Sequence, residues 1–278
     1  MTTENSTAPT PRKPHALRTV LLVIGSIILV IILVGTISRF AFAGSREDTS
    51  GTFTVAQQFD AIELRASAAD VTVEYTDVNE PQIRFDQGGT NLRLDYDVSG
   101  GELDIRVDRP GWGWWGFGFG DWGWNEGARL ELSLPERMES EGVTVKIETT
   151  AGNLTVAGTY GDVEMESTAG DVRMTGVADD LEIRTTAGNV RLNGVEVGGS
   201  FIGESTAGDS SFEFDSLPES IEVQSTAGNV SVLLPSGSYR IDTDTTAGNV
   251  TQNVSSDQNS SRTYRFETTA GNIELNER

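Results

Sequence analysis

The sequence predicts an all-β fold: a single-stranded β-solenoid (β-helix) with coils of about 18–20 residues, plus one N-terminal transmembrane α-helix. A five-residue motif, Thr/Ser-Thr-Ala-Gly-Asn/Asp, occurs seven times, and an apolar run stands near the N-terminus. The motif alanines are Ala151, Ala169, Ala187, Ala207, Ala227, Ala247 and Ala270, with spacings of 18, 18, 20, 20, 20 and 23 residues. Such a period is typical of repeat proteins, in which each unit packs against its neighbours.

Apolar and polar residues alternate around the motif copies; Leu181 and Ile183, for example, flank Glu182. A period of two indicates strands with one face inward. The Ala-Gly-Asn step is turn chemistry, because Gly adopts positive φ and Asn or Asp tolerates the left-handed region. An antiparallel meander also fits this alternation. The solenoid is favoured because its equivalent residues stack about 4.8 Å apart, which explains why five residues repeat almost unchanged.

The alternation assigns a face to each motif position. The first hydroxyl should point inward and bond to the backbone or to its own kind, because an unpaired buried hydroxyl costs about 1–3 kcal/mol. The second, always Thr, should point outward. The inward hydroxyls are Thr149, Ser167, Thr185, Ser205, Ser225, Thr245 and Thr268. Side chains at the last motif position should form hydrogen bonds along the turn. This position is occupied by Asn153, Asp171, Asn189, Asp209, Asn229, Asn249 and Asn272.

The N-terminal region predicts a membrane anchor. Residues 1–18 are polar and basic and are predicted to be a disordered cytoplasmic tail, whereas residues 19–40 are long and apolar enough to form a transmembrane helix. The basic flank places the N-terminus in the cytoplasm and all that follows outside, as a single-pass protein of the cell membrane. Ala41-Phe42-Ala43 leaves cleavage of a signal peptide as the alternative, which the length of the apolar run disfavours.

A linker at residues 41–51 leads into the predicted solenoid at residues 52–278. Residues 52–136 have the pattern of irregular N-terminal coils, and residues 143–278 hold the regular repeats. The segment from Arg65 to Val71 is a degenerate motif copy, with Ala69 where other copies have Gly. Terminal repeats are often atypical because they cap the stack.

A Gly/Trp-rich insert at residues 111–124 contains all five tryptophans of the chain. The apolar alternation on both sides predicts that it lies at the tip or flank of a hairpin. Two interpretations of its rings stay open: the rings cover one end of the solenoid or belong to a flexible insert, or they form a membrane or glycan contact. Trp is favoured at bilayer interfaces, and the glycines leave little bulk to bury the rings. The candidate contact residues are Trp112, Trp114, Trp115, Phe117, Phe119, Trp122 and Trp124.

Composition narrows the functional classes. A net charge of −22 argues against nucleic acid, and the absence of cysteine excludes disulfides and thiolate metal sites. The single histidine, His15, lies in the predicted tail, so no Ser-His-Asp site can form outside. We predict no enzyme and no cofactor. Calcium at the turn column stays open but is disfavoured, because most copies carry a neutral Asn; ice binding by the outward threonines is disfavoured by the charged residues beside them.

Four segments precede the repeats in a recognisable order: Phe59-Asp60-Ala61-Ile62-Glu63-Leu64, Ala68-Ala69-Asp70-Val71-Thr72-Val73, Gly101-Glu102-Leu103 and Leu130-Glu131-Leu132-Ser133-Leu134-Pro135. With the repeats, they make residues 52–278 resemble the bacterial putative-adhesin domain family, a domain of unknown function. The resemblance implies a β-helical extracytoplasmic domain, often behind one transmembrane helix. The Gly/Trp-rich insert is not part of that pattern.

The predicted function is therefore non-catalytic: surface interaction, adhesion or envelope sensing through the long outward faces of the coils. The expected partners are the membrane, through the anchor, and a cell-surface protein or glycan. The alternative is a β-helical carbohydrate-active enzyme or glycan-binding module. A groove with clustered carboxylates beside an aromatic platform would favour that alternative, and scattered charge would disfavour it.

Overall fold

The computed structural model describes residues 50–108 and 127–278, which form an almost entirely β structure. The predicted tail, the predicted transmembrane helix, linker residues 41–49 and the Gly/Trp-rich insert lie outside the described residues. Within those two ranges, no helix combines the length and the apolar character needed to cross a bilayer.

The described chain contains 21 strands and one 3-10 helix. The N-terminal part comprises β1 (Gly51–Thr54), β2 (Ala61–Ala66), β3 (Ala69–Thr76), β4 (Gln82–Asp86), β5 (Arg93–Ser99), β6 (Glu102–Asp108), β7 (Ala128–Pro135) and the 3-10 helix (Glu136–Glu141). The repeats comprise β8 (Thr144–Thr149), β9 (Leu154–Thr159), β10 (Val163–Ala169), β11 (Val172–Ala178), β12 (Leu181–Ala187), β13 (Val190–Val197), β14 (Ser200–Ala207), β15 (Ser210–Phe214), β16 (Ser220–Ala227), β17 (Val230–Leu234), β18 (Arg240–Ala247), β19 (Val250–Asn253), β20 (Thr263–Ala270) and β21 (Ile273–Glu277).

These strands form two sheets that enclose one core. The 10-stranded sheet has the order β18-β20-β16-β14-β12-β10-β8-β2-β6-β5, and the 11-stranded sheet has the order β1-β4-β7-β3-β9-β11-β13-β15-β17-β21-β19. Each regular coil gives one strand to each sheet, and the Ala-Gly-Asn turn joins them. Neighbouring coils are parallel and in register, with Leu181 opposite Phe201 and Ala187 opposite Ala207. The predicted solenoid is confirmed, with two strands in each coil.

Inward side chains of both sheets build the core. Leu181 and Ile183 are buried, and the ring of Phe201 in the 10-stranded sheet meets Phe212 and Phe214 of the other sheet at centroid distances of 4.9 and 5.3 Å. Fully burying one such side chain stabilises the fold by about 1.5–3 kcal/mol. The core is therefore a continuous apolar column that follows the solenoid axis.

The first motif hydroxyls point inward as predicted, but their predicted hydrogen bonding is mostly wrong. Thr149 donates to the carbonyl of Ala151 at 3.1 Å, and half-buried Thr245 donates to the carbonyl of Gly271 at 3.2 Å. The other five are buried without a hydrogen-bond partner among the described residues: Ser167, Thr185, Ser205, Ser225 and Thr268. Coils about 4.8 Å apart hold equivalent hydroxyls beyond hydrogen-bond range, and the backbone groups are paired within the sheets.

Glycine is required in the motif turn because the coils approach each other most closely there. Gly188 has a φ of +145°, and a Cβ atom at this position would lie 2.0 Å from the carbonyl oxygen of Gly170 in the neighbouring coil. The stacked glycines thus let backbone contact backbone, which no other residue type permits.

The last two coils change places relative to their order in the sequence. Strand β20 pairs with β16 on one side and β18 on the other, and β21 lies in the same way between β17 and β19. The chain leaves one layer open, forms the outermost coil, and returns to fill the gap. Burial explains this order: Tyr264 and Phe266 of the filling coil are apolar and at most 1% exposed, whereas the outermost coil carries Thr243 and Gln252 at inward positions.

The N-terminal coils are irregular, as predicted. The degenerate copy forms β2 and β3, which pair directly with β8 and β9 of the first regular coil. Strands β1, β4 and β5 pair antiparallel with their neighbours. The predicted hairpin around the insert is wrong, because β6 belongs to the 10-stranded sheet and β7 to the 11-stranded sheet. Asp108 and Ala128, the described ends of these two strands, lie at the edge where other coils have their motif turn.

Candidate interaction surface

The Asn/Asp positions of the motif form a hydrogen-bonded column along the turn edge. In spatial order the column is Asp70, Asn153, Asp171, Asn189, Asp209, Asn229, Asn272 and Asn249. Each backbone N–H donates to the side-chain Oδ1 of the preceding coil at 2.8–3.1 Å. The carboxylate of Asp171 also accepts from Asn189 Nδ2 at 3.1 Å. The backbone hydrogen bond from Asn189 is the main cause that lowers the pKa of Asp171 below its usual range.

Asparagine separates each aspartate of this column from the next. Asp70 and Asp171 are two coils apart, so their carboxylates are separated by about 10 Å. In the described ranges, no three carboxylate or imidazole groups come together as a metal site. The arrangement has the chemistry of an amide ladder, in which an Asn donates to the Asp below it and accepts from the backbone above it.

The outer face of the 10-stranded sheet carries two long parallel rows of side chains. The mixed-charge row consists of Arg106, Arg65, Glu148, Glu166, Arg184, Glu204, Gln224, Glu267 and Asp244, one residue from each strand from β6 to β18. The threonine row consists of Ser67, Thr150, Thr168, Thr186, Thr206, Thr226, Thr269 and Thr246, the outward hydroxyls beside the turn.

Ion pairs link the mixed-charge row to Lys146 and Glu164, which lie two positions earlier on their strands. Arg184 reaches Glu204 at 3.4 Å and Glu164 at 3.6 Å, and Lys146 contacts Glu164 at 3.1 Å. The hydrogen bond from Lys146 to Glu164 is the main cause that raises the pKa of the lysine. Each of these exposed pairs stabilises the fold by at most about 1 kcal/mol. Their main consequence is that carboxylates and guanidinium groups keep fixed positions along the face.

A shallow groove, here named the axial trough, runs between the mixed-charge row and the threonine row. Its two sections have volumes of 320 and 480 Å³ and share Glu166, so they continue into one another. The backbone of the inward hydroxyl positions forms its floor. Crossing nine strands, it is about 38 Å long. Arg106 and Arg65 stand at one end and Glu267 and Asp244 at the other, and no aromatic side chain lines its described walls.

The sequence-predicted sites relate to this trough in different ways. The seven aromatic candidates of the insert lie outside the described residues, and their role stays a prediction. Asp108, the last described residue before the insert, lines the arginine end of the trough. The Asn/Asp column follows the adjacent turn edge. The sequence predicted that the outward faces of the coils are binding surfaces, but it did not predict the trough. The walls of the trough depend on which strands are neighbours in the sheet, and the sequence does not give that order.

Stacked two-strand coils, a repeated turn and a polar outer face define a β-solenoid repeat protein. Residues 59–276 match the family model described as Toastrack DUF4097, and the chain belongs to this family. The resemblance to a bacterial adhesin-like domain of unknown function, predicted from the sequence, is confirmed. A search of curated proteins found no match.

The solved structures to which this chain is similar include proteins from Bacteroides fragilis and Parabacteroides distasonis. A putative adhesin from Bacteroides fragilis is 10% identical with a TM-score of 0.49, covering 83% of this chain and 98% of its own. A putative adhesin from Parabacteroides distasonis is 13% identical with a TM-score of 0.43, covering 83% and 98%. A putative lipid-binding protein from the same organism is 16% identical with a TM-score of 0.31, covering 83% and 97%.

Proposed function

We propose that this chain is a single-pass, N-in membrane protein whose extracytoplasmic solenoid binds an elongated partner along the axial trough, without catalysis. The partner is a linear cell-surface glycan or an extended protein segment. The role is adhesion or envelope sensing. The supporting observation is the trough itself, a groove of about 38 Å whose walls repeat every 4.8 Å or so.

The chemistry of the trough walls supports binding. Threonine hydroxyls line one side and offer both a donor and an acceptor at each coil, and the other side carries carboxylate, guanidinium and amide groups. The arginine and acidic ends give the trough a direction. A partner bound along it would gain many weak contacts, and affinity would depend on the length of the partner.

A glycan-binding module is favoured over a carbohydrate-active enzyme. Glu204, near the middle of the trough, faces Arg184, and the described walls carry no ring on which a sugar could stack. The carboxylates are distributed along the row and are not gathered around one point. This arrangement suits recognition of hydroxyl groups by hydrogen bonds better than the paired acid and base of a glycosidase.

The trough is tested with the full chain in lipid nanodiscs and isolated cell-wall glycan of the producing cell. Thr206→Arg with Thr226→Arg would place two bulky cations on adjacent coils of the threonine wall. Ser211→Arg with Ser231→Arg makes the same change on adjacent coils of the opposite sheet, where these serines are paired in register. We expect at least a tenfold loss of binding from the first pair only. Equal binding by both variants would refute the trough as the binding surface.

A further variant separates the trough from the insert. Replacing all five tryptophans with Ser leaves the trough unchanged. Loss of binding in this variant, with full binding by the trough variant, would assign the working surface to the Gly/Trp-rich insert. No binding to glycan by any variant would move the search to protein partners.

The membrane arrangement has its own test, because the chain contains no cysteine. Ser6→Cys and Ser236→Cys are labelled on intact cells with a membrane-impermeant maleimide; Ser236 lies at an exposed turn of the solenoid. The proposed topology predicts labelling at position 236 and none at position 6 until the membrane is opened. Labelling at position 6 on intact cells would refute it, and release of the solenoid into the medium would favour cleavage after Ala43.

A further inference from the structure

The C-terminal end of the solenoid presents two open strand edges. Strand β18 closes the 10-stranded sheet and β19 closes the 11-stranded sheet, and each has a neighbour on one side only. An open edge offers unpaired backbone donors and acceptors, which makes it a template for a strand of another molecule. A second copy of this chain is an available partner, since it carries the same edge.

The side chains of the outermost coil suit contact with water and not packing against another coil. Its inward positions include Thr243 and Gln252, and Val250 is 39% exposed. At the register position of Val250, the coil beneath has Ile273, which is fully buried. This polar coil lies at the end of the stack because the chain leaves one layer open and fills it later. Stacking in sequence order would leave the apolar coil of β20 and β21 outermost.

Charge along β18 opposes pairing with a second copy. If two β18 edges met antiparallel with inward faces on the same side, two registers would give the longest overlap, seven residues. One sets Asp242 opposite Asp244 twice, and the other sets Asp244 opposite Asp244. Like charges directly opposite each other destabilise a strand pair. Both of these longest registers therefore contain a repulsive pair.

Strand β20 would behave differently at the end of the stack. Antiparallel pairing centred on Phe266 would set Arg265 opposite Glu267 twice and would bring the two Phe266 side chains together on the inward face. Both contacts favour association. The coil that the chain buries is thus self-complementary at its edge, and the coil that covers it is self-repelling.

We propose that β18 and β19 form an in-chain cap, and that the exchanged order of the last two coils keeps a second copy from joining end to end. The cap acts through the aspartates at positions 242 and 244 and through its polar inward side chains. Without it, two copies pair through β20 and β21.

The first test reverses one charge of the cap in the full chain, kept in one mild detergent and followed by sedimentation velocity over a range of concentrations. In the register that pairs positions 242 and 244, Asp242→Arg would create two attractive pairs with Asp244. We expect self-association at least about tenfold tighter than that of the unchanged chain. Asp242→Arg with Asp244→Arg restores like charges and is expected to stay monomeric. Equal behaviour of the single and double variants would overturn the charge argument.

The second test removes the cap by deleting residues 240–262. Arg240 and Thr263 are register partners, so residues 235–239 can lead directly into β20 in the position that β18 would take by sequential stacking. A cooperatively melting variant that dimerises supports the proposal, and a folded variant that remains monomeric overturns it. If the deletion prevents folding, the charge reversal alone decides.

Discussion

Gly188→Ala tests the close approach of coils at the motif turn. The added Cβ would lie 2.0 Å from the Gly170 carbonyl oxygen, whereas ordinary contacts begin near 3.4 Å. The coils must therefore move apart locally by more than 1 Å or so, which stretches the hydrogen bonds between them from Gly170 N to Ala187 O (3.0 Å) and from Val172 N to Asn189 O (2.9 Å). Losing these two bonds costs about 2 kcal/mol, and the strained φ adds about 1–3 kcal/mol. We expect a total loss of about 3–5 kcal/mol.

Gly142→Ala is the matched control. Gly142 also has a positive φ, +67°, but a Cβ there would meet nothing within 4 Å. Only backbone strain is then expected, about 1 kcal/mol. Both variants are measured by urea unfolding of the full chain, followed by far-ultraviolet circular dichroism. An equal, small loss in both would refute the close stacking of the turn.

Four further substitutions test other parts of the structure by the same unfolding measurement. Ile183→Ala should cost about 2–5 kcal/mol because it leaves a cavity in the core, whereas Thr186→Ala on the outer face should cost less than about 0.5 kcal/mol; equal effects would contradict the inward and outward assignment. Thr185→Val removes a buried hydroxyl that has no partner and should be neutral or stabilising, and a clear loss would reveal a hidden hydrogen bond. Asp171→Asn should lower stability at pH 7. Because folding lowers the pKa of Asp171, its stabilising contribution is present above the unfolded-state pKa of about 3.9 and is lost as the pH falls through the folded-state pKa. The difference from the unchanged chain should shrink below about pH 4, and a constant difference would contradict this assignment.

Much of the solenoid could be predicted because its rules are local. The alternation around Ile183 predicts which face of the strand points inward. The glycine present in every motif copy indicates a turn in which the backbones of neighbouring coils touch. The Asn/Asp column follows from stacking, since residues repeated at one position meet their own kind. Even the degenerate copy at Ala69 takes its expected place, with Asp70 continuing the column.

The layer order could not be predicted from the repeat alone. Copies at Thr245 and Thr268 are equivalent by motif, and their exchange depends on comparing how apolar the two coils are. The two coils differ at one equivalent inward position, where one has Phe266 and the other has Thr243. The sequence reveals the exchange only if these two residues are compared as candidates for the same layer. The trough was missed for the same reason, since its walls are assembled from strands far apart in sequence. The unpaired hydroxyl of Thr185 shows a further limit. Because the motif repeats, an unfavourable buried hydroxyl recurs from coil to coil just as a favourable contact does.

The order of the last coils underlies the proposed cap, and a pair of cysteine variants tests it directly. Thr226→Cys with Thr269→Cys joins positions in adjacent layers, about 4.8 Å apart, whereas Thr226→Cys with Thr246→Cys joins positions two layers apart, about 10 Å. A disulfide requires Cα atoms within about 7 Å. We predict rapid oxidation to a disulfide in the first variant and none in the second. The reverse result would mean that the coils stack in sequence order, and the cap would have no basis.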